Sequence, residues 1–332
     1  MKKITIALIG AGGIGKIWKE AIGKVKNVEF GMVADISKPR AAEIASQFKN
    51  CEAVSDWRMT IKNKKIDAVI VATPHKWLAP IAYAALAAGK HVLCEKPGGI
   101  HAREVKRNIE MARKKRVTYM IGFNHRYHPA FATAKKLYEA GKIGEILFIR
   151  ARHGFGGHAG YDKEWRMKKS ISGGGELIDQ GVHMIDMARW FMGNFKDVKG
   201  FAERLFWKGD VEDNGFALLR TARRRVASIH VSWTNWEWIH SFEIYGTKGY
   251  LVVDGLDQRY QGPERLTVGM RQQILKGPPN EKVIRFEKEQ KSDSFTRQLG
   301  AFVAALNGKK RTIPQGGDAY EVLRIVERVY TQ

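Results

Sequence analysis

A short apolar run, Ile4 to Ile9, leads directly into the glycine-rich segment Gly10 to Gly15 and then into a helical pattern. This order of strand, turn and helix restricts the possible folds more than any other feature of the chain. Gly10 permits a tight turn, Gly12 lets the backbone approach a pyrophosphate, and Gly15 lets the helix pack closely on the strand. The helix N-terminus presents free N–H groups and a positive dipole end to the same phosphates. We therefore predict a dinucleotide site whose contacts in this turn are Gly10, Gly12, Gly13, Ile14 and Gly15.

The first 122 residues continue this alternation of short apolar runs and helical segments. Further strand-like runs are Val28 to Ala34, Ala68 to Ala72, His91 to Cys94 and Thr118 to Ile121. Helical patterns lie between them, near 14–23, 39–48, 78–88 and 102–115. Such alternation is typical of βαβ units, in which helices cover both faces of a parallel sheet. The fold class predicted for residues 1–122 is a doubly wound α/β Rossmann domain.

After Gly122 the pattern changes to alternating apolar and polar runs with few helices between them. Strands are predicted at 146–153, 197–205, 216–221, 226–233, 241–245 and 250–253, and helices at 175–191, 294–306 and 318–330. Consecutive alternating runs favour a large, mostly antiparallel open sheet. We therefore expect residues 123–332 to form a second, α+β domain for substrate binding and oligomerisation, with the option that its terminal helices pack back toward the first domain.

Composition narrows the class of protein further. The formal net charge is +23, but the basic excess is spread over both parts of the chain, and its densest cluster, Arg220 with Arg223 to Arg225, fits a solvated hairpin tip. A dedicated nucleic-acid site is therefore not expected. Two cysteines outside any CxxC pair indicate a reducing, cytoplasmic compartment. No apolar run approaches the length of a membrane helix, and neither an anchor nor a secretory signal is predicted.

Asp35 ends the second predicted strand, 20 residues after Gly15. At this position a carboxylate accepts hydrogen bonds from the adenosine ribose hydroxyls and repels a 2'-phosphate, which favours NAD. Lys38 and Arg40 follow closely and are able to pair with that phosphate. The sequence therefore predicts NAD with Asp35, Lys38 and Arg40 as contacts, and leaves NADP open.

Three further segments carry polar groups suited to chemistry: Ala72-Thr73-Pro74, Glu95-Lys96-Pro97 and Asp179-Gln180-Gly181-Val182-His183. The first two follow predicted parallel strands, at the edge where an open α/β sheet presents its ligands. We therefore add Thr73, Pro74, Glu95 and Lys96 to the predicted cofactor contacts.

Together with Asn124-His125-Arg126-Tyr127, Trp165-Arg166 and Ser172-Gly173-Gly174-Gly175, these segments resemble the Gfo/Idh/MocA oxidoreductase family over essentially the whole chain. The resemblance implies a Rossmann domain followed by an α/β domain whose open sheet often forms the oligomer interface. It implies nicotinamide-dependent oxidation or reduction of a sugar, polyol or related hydroxyl. It also places Asn124 and Arg126 among the cofactor contacts.

The resemblance assigns the chemistry to Lys96, Asp179 and His183. Alcohol oxidation needs a base within hydrogen-bond reach of the hydroxyl, and histidine titrates in the useful range. We assign the base role to His183, with Asp179 orienting the substrate or the imidazole from four residues earlier, on the same helical face. Lys96 would favour negative charge on the reacting oxygen. Which of Lys96 and His183 takes the proton stays open at this point.

Substrate contacts are expected from charged and aromatic side chains, since a sugar offers hydroxyls to the first and an apolar face to the second. The predicted set is Arg126, Arg152, His153, Tyr161, Trp165, Arg166, Asp179 and His183. Trp233, Trp236 and Trp238 are interpreted as a sheet face or subunit interface, because they alternate as in a strand. No catalytic metal is expected, although Asp179, His183 and Asp186 share one helical face.

The sequence thus predicts a cytoplasmic NAD(P)-dependent oxidoreductase for a sugar, sugar derivative or cyclitol. The net charge would suit an anionic sugar, but we interpret it first as a diffuse surface property. A homodimer or homotetramer formed through the open sheet is expected. The alternative is a non-catalytic regulator that senses dinucleotide or sugar on the same fold. Intact Lys96, Asp179 and His183 argue against that alternative, since a sensor needs no acid–base set.

Overall fold

The computed structural model describes residues 3–256, 260, 262–272, 279–309 and 312–332. The chain divides into two compact units, Met1–Asn124 with Ser292–Leu323 and His125–Lys291 with Arg324–Gln332. Among the described residues, no helix is both long and apolar enough to cross a membrane.

The first unit contains a six-stranded parallel sheet in the order β3-β2-β1-β4-β5-β6. Its strands are β1 (Ile4–Ile9), β2 (Val28–Ala34), β3 (Glu52–Val54), β4 (Ala68–Val71), β5 (His91–Cys94) and β6 (Tyr119–Ile121). β1 and β4 are apolar and buried on both faces, as the central strands of such a sheet must be. The predicted doubly wound sheet is confirmed. The order of strands reverses between β1 and β4, which creates the crevice where such sheets bind ligands.

Helices cover both faces of this sheet. They are α1 (Gly13–Lys24), α2 (Lys38–Ala45), α3 (Arg58–Lys62), α4 (His75–Ala87) and α5 (Ala102–Lys115). The predicted helices correspond to α1, α2, α4 and α5. Strand β3 and helix α3 were not predicted, because three and five residues are too few to show a period.

The second unit is built on an eight-stranded sheet in the order β14-β13-β12-β11-β7-β10-β9-β8. Its strands are β7 (Ile146–Gly154), β8 (Phe195–Glu203), β9 (Asn214–Thr221), β10 (Val226–Ser232), β11 (Ile239–Gly246), β12 (Gly249–Asp254), β13 (Glu264–Met270) and β14 (Glu281–Phe286). Only the pairing of β7 with β10 is parallel among these strands, so the mostly antiparallel open sheet is confirmed.

One face of this sheet is covered and the other is open. The covering helices are α6 (Pro129–Glu139) and α8 (Val182–Met192), together with the π-helical turn Leu177–Gly181 that precedes α8. A short helix, α7 (Lys169–Ser172), lies between α6 and this turn in the chain. Along β7, Ala151 and His153 are buried, whereas Arg150 and Arg152 point to the open face. This alternation follows from the two-residue period of a strand.

The structure corrects the interpretation of the tryptophan cluster. β10 ends at Ser232, and Trp233, Trp236 and Trp238 lie in the loop before β11 instead of alternating along a strand. Trp233 is fully buried with Tyr161 and Met167, while Trp236 is 63% exposed. The three side chains therefore do not form a sheet face. The predicted hairpin tip at Arg223 to Arg225 is confirmed as the connection of β9 to β10.

Two helices complete the described chain, α9 (Lys291–Leu306) and α10 (Gly316–Tyr330). Within the first unit, Phe295 of α9 packs edge-on against Trp18 of α1, with ring centroids 4.9 Å apart. Gln298 donates a hydrogen bond of 3.1 Å to the carbonyl of Ile121 at the end of β6. Helix α9 is therefore part of the packing that surrounds the carboxyl edge of the parallel sheet.

Candidate active site

The turn between β1 and α1 has a geometry that requires glycine at two positions. Gly10 has a φ of +105°, and a Cβ there would overlap the carbonyl of Ala72 at the end of β4. A Cβ at Gly15 would overlap the carbonyl oxygen of Gly10. Any larger residue at Gly15 would push α1 away from the turn, so the close packing predicted for this glycine is present.

The N-terminus of α1 opens onto free space. Its N-cap is Gly12, no side chain caps it, and its first turn contains no acidic residue. A Cβ built on Gly12 or Gly13 would meet no atom within 4 Å. Thr73, at the end of β4, has a buried hydroxyl oxygen with no hydrogen-bond partner among the described residues. Free N–H groups, a positive dipole end and an unused hydroxyl fit a dinucleotide pyrophosphate.

Asp35 links the end of β2 to this turn. Its Oδ2 accepts a hydrogen bond of 2.8 Å from the backbone N–H of Ala11, and its Oδ1 accepts one of 2.8 Å from Ser37. The guanidinium of Arg40 pairs with the same Oδ1 at 2.9 Å. The structure therefore brings Asp35 and Arg40 together beside the glycine turn, with Lys38 at the start of α2.

The Glu95-Lys96-Pro97 segment leaves the end of β5, next to the same edge of the sheet. Glu95 is 7% exposed, and its Oε1 accepts a hydrogen bond of 2.8 Å from the indole of Trp18. A Cβ on Gly122 would come within 3.0 Å of the Glu95 Cα, so this glycine lets β6 approach the segment. Glu95 is thus anchored to α1, and it fixes the backbone from which the half-buried Lys96 projects.

Asn124 lies in a 3₁₀ turn, Asn124–Tyr127, that follows β6. Its amide donates a hydrogen bond of 3.2 Å to the hydroxyl of Ser294 on α9, and both groups are buried. The predicted cofactor contacts of the first unit therefore lie on the turn after β1 and at the ends of β2, β4, β5 and β6. These positions are the carboxyl edge of the parallel sheet, where the fold places its ligand.

In the second unit, three of the predicted substrate residues are brought together. The Nε of Arg166 pairs with Asp179 at 2.9 Å, and its Nη1 pairs with Glu164 at 2.9 Å. The guanidinium also lies 4.7 Å from the ring centre of Trp165. Burial opposes the charge of Arg166, but the carboxylates of Asp179 and Glu164 outweigh it and raise its pKa. Arg166 therefore keeps its positive charge beside Asp179 across the physiological range.

Tyr161 is the fourth member of this group. It is 3% exposed and packs edge-on against Trp233 with ring centroids 5.1 Å apart. Burial raises the pKa of its hydroxyl, and the nearby carboxylates of Asp179 and Glu176 raise it further. Tyr161 therefore stays protonated and can act only as a neutral hydrogen-bonding group.

Asp179 is held in place by the segment before it. Glu212 accepts hydrogen bonds from the N–H groups of Gly175, at 2.8 Å, and Leu177, at 3.2 Å. Tyr330 donates a third bond of 2.6 Å to Glu212. Asp179 itself lies on the π-helical turn and not on the regular helix predicted for 175–191. Turns of this type occur frequently at functional sites in helical segments.

Arg126 is buried, with 9% of its surface exposed, and forms a bidentate pair with Asp186 on α8. The two bonds measure 2.8 and 2.6 Å. In the sequence, Asp186 shares one helical face with Asp179 and His183, and these three are the residues considered above as possible metal ligands. Since Asp179 and Asp186 each pair with an arginine, neither is presented for metal binding in this geometry. Among the described residues, no group of three or more His, Cys, Asp or Glu side chains is arranged to hold a metal ion.

His183 on α8 lies in a cluster of buried histidines. Its ring stacks on that of His125, with centroids 4.0 Å apart and planes 11° apart. His153 on β7 and His240 on β11 are directly paired in the sheet, and their Nδ1 atoms lie 3.1 Å apart. Their rings lie 6.2 and 5.6 Å from that of His125. The cluster puts four imidazoles in one buried region of the second unit.

The structure separates Arg152 from the other predicted substrate residues. Arg152 lies on the open face of the sheet, where it lines a shallow cavity with Arg150, Ser228, His230 and Glu243. His153, its neighbour in sequence, lies on the covered face. Two consecutive residues of one strand cannot line the same pocket on a sheet. The joint assignment of Arg152 and His153 to one substrate pocket is therefore wrong.

The matches with known proteins agree with this geometry. A family profile described as "Oxidoreductase family, NAD-binding Rossmann fold" matches residues 4–123, and one described as "GFO/IDH/MocA C-terminal domain" matches residues 131–252. Levoglucosan dehydrogenase of Pseudarthrobacter phenanthrenivorans is 32% identical over 297 residues, 76% of this chain and 74% of that protein. Inositol 2-dehydrogenase of Rhizobium meliloti is 26% identical over 98% of this chain and 95% of its own length.

A solved structure titled levoglucosan dehydrogenase in complex with NADH and levoglucosan superimposes with a TM-score of 0.87. It is 28% identical and covers 99% of this chain and 97% of its own. The fold and the glycine turn thus define an NAD-dependent oxidoreductase with a Rossmann domain. The chain belongs to the Gfo/Idh/MocA family.

Proposed function

We propose that this protein is an NAD-dependent dehydrogenase that interconverts a secondary alcohol and a ketone on a sugar, sugar derivative or cyclitol. The observation that carries the proposal is the group formed by Trp165, Arg166 and Asp179. An ionised arginine–carboxylate pair can bind neighbouring hydroxyls, while the adjacent indole can pack on the apolar face of a ring. The relatives named levoglucosan dehydrogenase and inositol 2-dehydrogenase support a cyclic polyhydroxylated substrate.

In this proposal, Lys96 and His183 act on the reacting hydroxyl. When bound, NAD supplies the hydride acceptor for alcohol oxidation. His183 accepts the hydroxyl proton as the carbinol hydrogen leaves with its electron pair, so one proton and one hydride depart together. The ammonium group of Lys96 stabilises negative charge that develops on the oxygen. Asp179, fixed by Arg166, orients the substrate hydroxyls.

The direct test is NADH formation, followed at 340 nm, over a panel of anhydrosugars, pyranoses, phosphorylated sugars and cyclitols. We expect turnover with at least one cyclic polyol and none with linear primary alcohols. Tight NAD binding with no absorbance change over the whole panel would favour the alternative, a non-catalytic sensor. A co-crystal with NAD and the best substrate would then identify the carbon that is oxidised.

Substitutions of two glycines separate ligand binding from folding. Gly12→Ala adds a methyl group in the open space proposed for the pyrophosphate, so we expect the Kd for NAD to rise about tenfold or more with little change in Tm. Gly15→Ala places its methyl group on the Gly10 carbonyl and should lower stability by about 1–3 kcal/mol. Calorimetric titration with NAD and thermal denaturation measure the two effects. Wild-type NAD affinity in Gly12→Ala would contradict the proposal that the pyrophosphate lies beside Gly12.

We also propose that the open sheet face of the second unit is covered by another copy of the chain, giving a homodimer or homotetramer. Large apolar side chains lie exposed on its strands; they are Phe148, Phe201, Phe216, Leu218 and Val226. Exposed apolar side chains on an open sheet are typical of an interface.

We expect Phe201→Glu and Leu218→Glu, which bury a charge in that interface, to shift the protein toward monomer. Light scattering after size-exclusion chromatography measures the change. Leu205→Glu is the control, because Leu205 is 66% exposed but lies beyond the end of β8. A wild-type protein that is monomeric at micromolar concentration would contradict the proposal.

A further inference from the structure

His125 belongs to a stack of three rings in the second unit. On one side lies His183, 4.0 Å away and nearly parallel, at 11°. The ring of Phe131 on α6 is also nearly parallel to that of His125, at 16°, with centroids 6.3 Å apart. His125 and His183 are 5% and 4% exposed. One face of the His183 ring is therefore covered by another imidazole.

Ionisable groups surround His125 on several elements. His128 follows it in the chain and pairs with Glu264 on β13 at 2.8 Å. His153 and His240 approach from β7 and β11. Two ion pairs described above belong to the same region. Arg126, on the same turn as His125, pairs with Asp186 on α8. Arg166 pairs with Asp179, which lies just before α8. Each arginine is matched by a carboxylate, so Glu264 and the histidines decide the net charge of the cluster.

His125 itself is held in the neutral form. Burial lowers its pKa well below the ordinary value for histidine, and repulsion from His183, His240, His128 and His153 lowers it further. Its Nδ1 is buried and has no hydrogen-bond partner among the described residues. The Nδ1 atom therefore plays no part in the packing of the described residues, whereas the ring face is in direct contact with His183.

We infer that His125 is a positioning residue whose neutral ring face supports the positive charge formed on His183 during alcohol oxidation. The inference rests on the proposed role of His183 as the base. When His183 takes the proton, its imidazolium lies against the electron-rich face of His125, and both rings are buried. Cations are attracted to such faces, most strongly when they are desolvated. A second proton on His125 would oppose this, and the surrounding histidines disfavour it.

Two substitutions separate the ring face from simple filling of space. His125→Phe keeps a flat aromatic ring on His183 but replaces the imidazole with a somewhat larger ring that has no nitrogen, whereas His125→Leu fills similar volume without a ring. We expect His125→Phe to retain kcat within about threefold and His125→Leu to lose about tenfold, with KM for NAD unchanged in both. Weaker support for the imidazolium should also move the acidic limb of the pH–rate profile to lower pH, by about one unit, in His125→Leu alone.

The ring titration of His183, followed by NMR in the protein without substrate, tests the inference independently of turnover. We expect its midpoint to lie about one pH unit lower in His125→Leu than in His125→Phe. Equal midpoints in the two variants would overturn the inference, even in an active enzyme. If no substrate is found and the proposed function fails, a difference in midpoints still supports the stabilisation of protonated His183 by the ring of residue 125. His125→Met replaces His125→Leu as the ringless variant if the latter does not fold.

Discussion

Lys96→Met should lower kcat by roughly two to four orders of magnitude while NAD binding stays nearly intact. Methionine keeps the length and most of the apolar contacts of the side chain and removes only the ammonium. In the proposed mechanism, that charge acts when negative charge develops on the substrate oxygen, so its loss raises the barrier far more than it weakens the ground state. Steady-state kinetics with the best polyol, together with calorimetric titration of NAD, measure the two quantities separately.

Lys106→Met is the matched control for Lys96→Met. Lys106 lies exposed on α5, so the same change of charge occurs outside the parallel-strand edge. We expect kcat in this variant to match that of wild type. Turnover near wild type in Lys96→Met would remove Lys96 from the reaction, and a large loss of NAD affinity with little change in kcat would reassign it to cofactor binding.

The first unit was predictable because its signals are local. β1 and β4 are buried on both faces, and their apolar runs need no partner to be recognised. The turn after β1 is equally local, since the overlap that would follow from a Cβ at Gly15 involves Gly10, five residues earlier. β3 was not predicted, because it is an edge strand of only three residues. An element that short is defined by its pairing with β2 and not by its own composition.

The second unit was less predictable because its strands carry mixed signals. β14 is largely exposed, and its residues show no buried alternation that would identify a strand. β13 joins the sheet through pairing with β12 and β14, and its first residue, Glu264, is a buried carboxylate that breaks the apolar pattern. Its burial is explained only by its contacts with His128 and the N–H of Ala130, 136 and 134 residues away in sequence.

The same limit applies to the candidate site. Asp179 and His183 stood out in the sequence because they are close together and resemble a family motif. His240 carried no such signal, because it reaches His153 only through the pairing of β7 with β11, 87 residues apart. Arg152 and His153 show the reverse error, since neighbours in sequence were assigned to one pocket although a strand sends them to opposite faces. Closeness along the chain therefore draws attention to residues of one helical segment, but on a strand it groups side chains that lie on opposite faces.

His183→Asn should lower kcat/KM by roughly two to four orders of magnitude and remove the acidic limb of the pH–rate profile. Asparagine fills part of the space of the imidazole and keeps a polar group, but it cannot accept the hydroxyl proton. Wild-type activity in the oxidative direction should rise with pH as His183 loses its proton, and the variant should lack this rise. His101→Asn is the matched control, because His101 caps α5 and asparagine is also a favoured N-cap residue.

An acidic limb that persists in His183→Asn would show that another group takes the proton. Combined with a large loss in Lys96→Met, that result would transfer the base role from His183 to Lys96.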